Sequence, residues 1–209
     1  MICIPLKYKS LNTLLKKHSQ AQKKADVMEI WFDEISIIKE EELKKFFRQK
    51  RKPIIYKAGK NIKKISKIIN YKTEYIDLDV ATSSNIINNV KKQSPKTKLI
   101  ISYHNFKKTP PQKELEKIIS KIKKKKADII KIATYAKNFQ DSLRMLELLS
   151  QESKKSKIIC ICMGKQGEIT RAAGHLLGNY LMYAPLESKQ KTAPGQIEFD
   201  DLKKIQNML

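Results

Sequence analysis

The sequence predicts an α/β fold, a (β/α)8 TIM barrel forming one domain over residues 1–209. Two observations predict it. Short β-branched apolar runs alternate strictly with amphipathic, lysine-rich stretches, and such alternation implies a parallel sheet. Eight of these units fit into 209 residues with no linker between them. That number suggests closure into a barrel rather than an open sheet, in a chain at the short end for a fold that needs about 200 residues.

Residues 2–6 read as the first strand, and 10–24 as a helix with Leu11, Leu14 and Leu15 on one side. Residues 26–35 contain the second strand, Val-Met-Glu-Ile-Trp-Phe-Asp, and 39–49 form a charged helix with Leu43, Phe46 and Phe47 as its apolar stripe. A third strand at 53–57 leads into a helix marked by Ile62, Ile65 and Ile68. The fourth strand, 75–80, precedes a short helix at 83–93 with Ser83 as its expected cap. The fifth, 98–104, precedes a long helix to Lys126, with Thr109 expected as N-cap and prolines at its first positions. The sixth strand and helix fall at 128–133 and 138–151, and the seventh at 157–163 and near 168–177. A strand at 180–183 and a helix at 199–208 close the series. In such a barrel the active site lies at the C-terminal ends of the strands. Glu29, Asp33, Lys57, Asp77, Asp79, His104, Lys131 and the segment after Met163 all sit at that end.

An apolar content of 41% supports a real core. No run approaches the roughly 18 apolar residues of a membrane span, so no membrane partner is expected. The start of the chain lacks a charged leader and a small-residue cleavage site, which points to a cytoplasmic protein. Cys3, Cys160 and Cys162 lie in strand-like runs and read as reduced, buried thiols. Two thiols at Cys160 and Cys162 without clustered histidines make a poor metal site, so no metal is expected. The net charge of +23 comes mainly from lysine, the arginines being Arg48, Arg51, Arg144 and Arg171. The lysines are spread over every predicted helix with no aromatic–basic module, so salt-sensitive adhesion to polyanions is expected and a specific nucleic-acid partner is not. A basic polyanion-binding module is the alternative from a different function class.

Two runs carry the chemistry. Each of Ile100-Ile-Ser-Tyr-His-Asn-Phe106 and Ala127-Asp-Ile-Ile-Lys-Ile-Ala133 places one titratable residue in a buried-strand pattern: His104 and Lys131. Alternate strand residues point inward. Lys131 then shares a face with Ile129 and Ala133, and His104 with Ser102, so the two side chains can converge from neighbouring strands. Desolvation and a partly cationic histidine would lower the lysine pKa and leave a neutral amine able to form a Schiff base. The histidine would move protons near neutral pH. Five of the six glycines fall between Gly164 and Gly195. The segment Met163-Gly-Lys-Gln-Gly-Glu-Ile-Thr-Arg171 reads either as a phosphate cradle or as a carboxylate clamp centred on Arg171. Thr192-Ala-Pro-Gly-Gln196 reads as a turn or flap presenting Thr192 and Gln196 as hydrogen-bond donors.

Ile-Ser-Tyr-His104-Asn-Phe, Ala-Asp-Ile-Ile-Lys131-Ile-Ala, Met-Gly-Lys-Gln-Gly-Glu-Ile-Thr-Arg171 and Ala-Pro-Gly-Gln196, in this order and spacing, resemble type I 3-dehydroquinate dehydratase. The likeness is dense from about residue 98 onward and thinner before it. It implies a (β/α)8 barrel that converts 3-dehydroquinate to 3-dehydroshikimate in the shikimate pathway, with no cofactor and with a homodimer open to it. It further implies that Lys131 is the Schiff-base nucleophile and His104 the general acid–base. Arg171 would hold the substrate carboxylate, Thr192 and Gln196 would close over the substrate, Glu29 would bind ring hydroxyls, and Phe106, Met163 and Tyr183 would wall the pocket. Three positions depart from the family pattern. Trp31 and Lys57 stand where arginines are expected, and Asn61 stands where an acidic partner of the histidine is expected, leaving it to orient His104 by a hydrogen bond. A family member with altered activity or substrate is the alternative these departures suggest.

Overall fold

A computed structural model of the chain describes residues 1–59 and 61–208, with Ile62, one of the expected apolar helix positions, described in its backbone alone. Its elements alternate as β1 (Ile2–Leu6), α1 (Leu11–Ala21), β2 (Val27–Ile30), α2 (Glu40–Arg48), β3 (Ile54–Lys57), α3 (Ile62–Ile69), β4 (Tyr75–Asp79) and α4 (Ser84–Gln93). They continue as β5 (Lys98–Asn105), α5 (Gln112–Lys124), β6 (Ile129–Tyr135), α6 (Phe139–Glu152), β7 (Ile158–Met163), α7 (Glu168–Ala173), β8 (Met182–Tyr183) and α8 (Phe199–Met208). All strand pairs are parallel, in the order β7-β6-β5-β4-β3-β2-β1-β8. The ring is nearly closed where the Tyr180 N–H donates to the Ile158 carbonyl at 2.8 Å. This is the (β/α)8 barrel that the alternation predicts.

Period-two alternation sorts each strand into two layers. Inward residues, among them Val27, Ile55, Ile100, Ile129, Ile159 and Tyr183, fill the lumen. Outward residues such as Ile4, Met28, Ile101, Ile132 and Cys160 meet the helices. The inner layer of β5 and β6 runs Ile100, Ser102, His104 and Ile129, Lys131, Ala133, the faces expected from the sequence. Ser102 pairs in register with Lys131, and His104 with Ala133.

Three local expectations change. The second strand stops at Ile30, where the chain turns into a short 3-10 helix, Phe32–Glu34. The cause is Phe32, fully buried and set edge-on to Phe46 and Tyr56 at 5.3 and 5.8 Å between ring centres. Thr109 does not cap the fifth helix. It is buried, its hydroxyl 2.8 Å from that of Thr134 and donating to the Tyr135 carbonyl, and Pro111 occupies the cap position instead. Ser83 does stand at the cap of α4, with extended backbone, but makes no side-chain capping bond. No helix among the described residues is long and apolar enough to cross a membrane.

Candidate active site

Lys131 lies within the barrel, 4% exposed. Its ammonium has three N–H donors and three acceptors around it: Glu29 Oε2 at 2.8 Å from β2, Asp77 Oδ2 at 2.8 Å from β4, and the Tyr183 hydroxyl at 3.1 Å from β8. Each acceptor is an inward residue of its strand, so the barrel itself aims them at one point. The expectation that the lysine pKa is lowered is overturned. Burial opposes its charge, but attraction to Asp77 and Glu29 outweighs that and holds the pKa well above the ordinary lysine value. The resting lysine is a cation.

The network extends outward from both carboxylates. Asp77 Oδ1 accepts from Lys57 Nζ at 2.8 Å and from the Ser102 hydroxyl at 2.5 Å, and Lys57 also donates to Ser102 at 3.0 Å. Burial works against Asp77's charge, but Lys131, Lys57 and His104 overcome it and hold its pKa well below the ordinary carboxylate range. Glu29 Oε1 accepts the Trp31 indole N–H at 3.0 Å. Trp31, standing where an arginine was expected, is thereby tied into the site as a neutral donor. The Lys7 ammonium lies over its ring at 4.6 Å from the centroid and pairs with Glu34 at 3.1 Å.

His104 sits two residues beyond Ser102 on the same inward face, about 7 Å farther along the strand. Burial, then Lys57 and Lys131, push its pKa down to about 3, against the pull of Asp77. The histidine is therefore neutral, not partly cationic as expected. Its ring lies parallel to that of Phe106, centres 6.0 Å apart. Asn61 does not orient it: the Asn61 side-chain oxygen accepts from the Lys64 N–H at 3.1 Å and caps α3. A cavity of about 600 Å³ opens over this half of the barrel, with Trp31, Lys57, Asp79, His104 and Phe106 in its wall. Asp33, also in the wall, accepts from the Tyr56 hydroxyl at 2.7 Å and from the Gly59 N–H, which fixes the loops after β2 and β3.

The other sector is built differently. Arg171 projects from α7 and is 2% exposed, yet among the described residues its Nε and Nη1 have no hydrogen-bond partner. Burial lowers its pKa to about 10, against Cys162 and Glu168, so it remains charged at neutral pH. Leaving a charged donor buried and unpaired costs several kcal/mol, and a carboxylate oxygen would satisfy it. Glycine makes this sector possible: a Cβ on Gly167 would lie 2.7 Å from the Cys162 carbonyl carbon, so only glycine lets α7 start this close to β7. Gly195, at φ +74°, rests on Gly164, whose N–H donates to the Pro194 carbonyl at 3.1 Å. Thr192 and Gln196 are bound to each other here. The Gln196 oxygen accepts the Thr192 N–H at 2.7 Å and the Ala193 N–H at 3.2 Å. Among the described residues, neither these two nor Arg171 bonds to the Lys131 network.

A family model described as type I 3-dehydroquinase matches residues 2–209. The chain belongs to that family. Among the similar proteins, a 3-dehydroquinate dehydratase of Methanocaldococcus jannaschii is 32% identical, the match covering 100% of this chain and 99% of that one. The crystal structure of 3-dehydroquinate dehydratase from Aquifex aeolicus is 27% identical with a TM-score of 0.79, covering 100% of this chain and 98% of the other. That from Geobacillus kaustophilus has a TM-score of 0.90 at 24% identity, covering 100% and 90%, a likeness of fold.

For this type I 3-dehydroquinase family member, the sequence singled out Lys131, His104, Glu29, Lys57, Arg171, Thr192 and Gln196, and the structure sets the first four in one half of the barrel mouth and the last three in the other. It did not single out Asp77 as the carboxylate shared by two lysines, nor Ser102 and the Tyr183 hydroxyl as their partners. The signal available for Asp77 was its place in Tyr-Ile-Asp-Leu-Asp, on the lumen-facing side of the fourth strand.

Proposed function

We propose that this chain removes water from 3-dehydroquinate to give 3-dehydroshikimate, a step of the shikimate pathway, through a Schiff base on Lys131. The observation that carries this reading is a lysine buried in an inner strand with three acceptors converging on its one nitrogen. Attack of the Lys131 amine on the substrate ketone forms a carbinolamine, and loss of water leaves an iminium. The iminium keeps a positive charge where the ammonium had one, so Glu29 and Asp77 stabilise it without rearrangement. It then acts as an electron sink for the carbanion formed beside it. His104, neutral in the resting site, can accept that C–H proton, and its cation, disfavoured by burial and two lysines, gives it up readily to the leaving hydroxyl.

Arg171 takes the substrate carboxylate, Lys57 and Glu29 face the ring, and Thr192 and Gln196 close over it. A homodimer, a cytoplasmic location and the absence of specific nucleic-acid or membrane partners complete the reading.

The test is trapping. Incubation with 3-dehydroquinate and borohydride should inactivate the protein and add one reduced substrate mass to the peptide bearing Lys131, while borohydride alone should do neither. Lys131→Ala should abolish label and turnover, and His104→Ala should slow turnover by about 10²–10⁴-fold. Label on another lysine, or turnover surviving in Lys131→Ala, would remove the proposal.

A further inference from the structure

Before Lys131 can attack, it must lose a proton, and three groups touch its nitrogen: Glu29, Asp77 and the Tyr183 hydroxyl. They differ in what holds their far side. Asp77 Oδ1 is occupied by the Lys57 ammonium at 2.8 Å and the Ser102 hydroxyl at 2.5 Å. A second cation on a carboxylate strongly disfavours adding a proton to it. Among the described residues, Glu29 Oε1 receives one neutral donor, the Trp31 indole N–H at 3.0 Å. The residue is fixed in turn: the Trp31 backbone N–H donates to the Leu6 carbonyl at 3.2 Å, its backbone carbonyl accepts from the Glu34 N–H at 3.1 Å, and Lys7 covers its ring. Tyr183 already bears a proton, and burial raises its pKa well above the ordinary phenol value. Among the described residues, the other titratable groups facing this point are Cys3 from β1, its thiol pKa raised by burial, Lys57, whose charge acts across the site, and His104, neutral in the resting site.

We infer that Glu29 is the proton acceptor that frees the Lys131 amine, and that Trp31 is the positioning residue that holds Glu29 in that role. This rests on the Schiff-base reading and assigns one of its proton transfers. The Lys131 ammonium gives a proton to Glu29 Oε2, leaving amine and carboxylic acid. The amine lone pair forms the C–N bond as the ketone π pair moves to oxygen. One N–H proton moves to that oxygen, and the Glu29 acid delivers the second. The C–O bond breaks, water leaves, and the nitrogen lone pair makes the iminium. Glu29 is again a carboxylate, opposite a cation, and one proton serves both halves of the step. A cation at position 31 would remove this difference between Glu29 and Asp77. The indole supplies a hydrogen bond without supplying charge.

The experiment is the rate at which label accumulates in a single turnover with 3-dehydroquinate, quenched with borohydride across pH 6–9. Two opposite outcomes are defined for Glu29→Gln. If Glu29 merely held the ammonium, removing its charge would favour the free amine, and label would form as fast or faster. As proton acceptor, its loss should slow label formation about 10²-fold or more. The rate should then climb with pH, because hydroxide must replace the missing base, and formate should restore part of it in Glu29→Ala. Trp31→Phe leaves Glu29 in place and should slow the same step about twofold to tenfold, the worth of one neutral hydrogen bond. Its KM should change less than its kcat. Unslowed label in Glu29→Gln, or a rising pH profile in Asp77→Asn in its place, would overturn the inference alone. An unlabelled wild-type protein would overturn the Schiff-base reading and this inference with it.

Discussion

The two halves of the barrel mouth solve opposite electrostatic problems. Over β2–β6, three ion pairs are made before any substrate arrives: Lys131 with Glu29 and with Asp77, and Asp77 again with Lys57. Over β7 and β8, Arg171 is left buried with two donor nitrogens unanswered among the described residues. The first half is a closed circuit that a ketone can enter without bringing charge. The second is an open one that an anion completes. A small molecule carrying a ketone at one end and a carboxylate at the other is the ligand this asymmetry suits.

Removing the cation from each half should move stability in opposite directions. Lys131→Met strips the shared cation from two buried carboxylates. Breaking a buried pair by removing one partner costs about 3–5 kcal/mol, so the denaturant midpoint should fall by a matching amount while the slope stays constant. Arg171→Met removes an unpaired buried charge, and the free protein should gain about 1–3 kcal/mol. The same change should raise KM tenfold or more, since a charge-assisted bond is worth about 1.5–3 kcal/mol. A loss of stability in Arg171→Met, or an unchanged KM, would make the two halves alike.

A smaller effect sharpens what an unpaired buried group means. His18 is fully buried on α1 against Phe46, with ring centres 4.4 Å apart and neither ring nitrogen bonded. It resembles Arg171 in lacking partners among the described residues but lies in the apolar seam between α1 and α2. Burial lowers its pKa to about 4 from the ordinary 6.5. The unfolded chain therefore takes up a proton that the fold refuses. His18 contributes fully to stability above pH 6.5, and that contribution drains away as the pH falls towards 4. In His18→Leu the slope of stability against pH in that window should be shallower by up to one proton, about 1.4 kcal/mol per pH unit. An identical slope would mean that His18 is hydrated in the fold.

The strand pattern was legible because β-branched runs and lumen-facing alternation are local. Lys131 and His104 stood out as interruptions of that pattern, and Arg171 as an arginine among glycines. What the sequence could not give was the sign of the lysine's pKa shift, which depends on acceptors 102, 54 and 52 residues away in the chain. The indole's role was hidden for the same reason. Trp31 follows the last residue of β2, and its direction is set by the 3-10 turn that Phe32 forces. Asn61 looked like a histidine partner by position but serves the nearest helix, where its side chain had a backbone N–H three residues on.

The ladder of paired strands runs from β7 the long way round to β8 and, among the described residues, does not pair those two with each other. The barrel thus has a seam, crossed by the Tyr180–Ile158 contact at one end and by the Gly164–Pro194 contact at the other. Arg171 stands on the β7 side of that seam, and Thr192 and Gln196 on the β8 side. On the proposed reading, a substrate whose carboxylate is held by Arg171, with Thr192 and Gln196 closed over it, would act as a stitch across the seam. Binding at this point should then tighten the tertiary structure itself, and slowed amide exchange along 158–164 and 180–196 would be a direct gauge of whether the anion is in place.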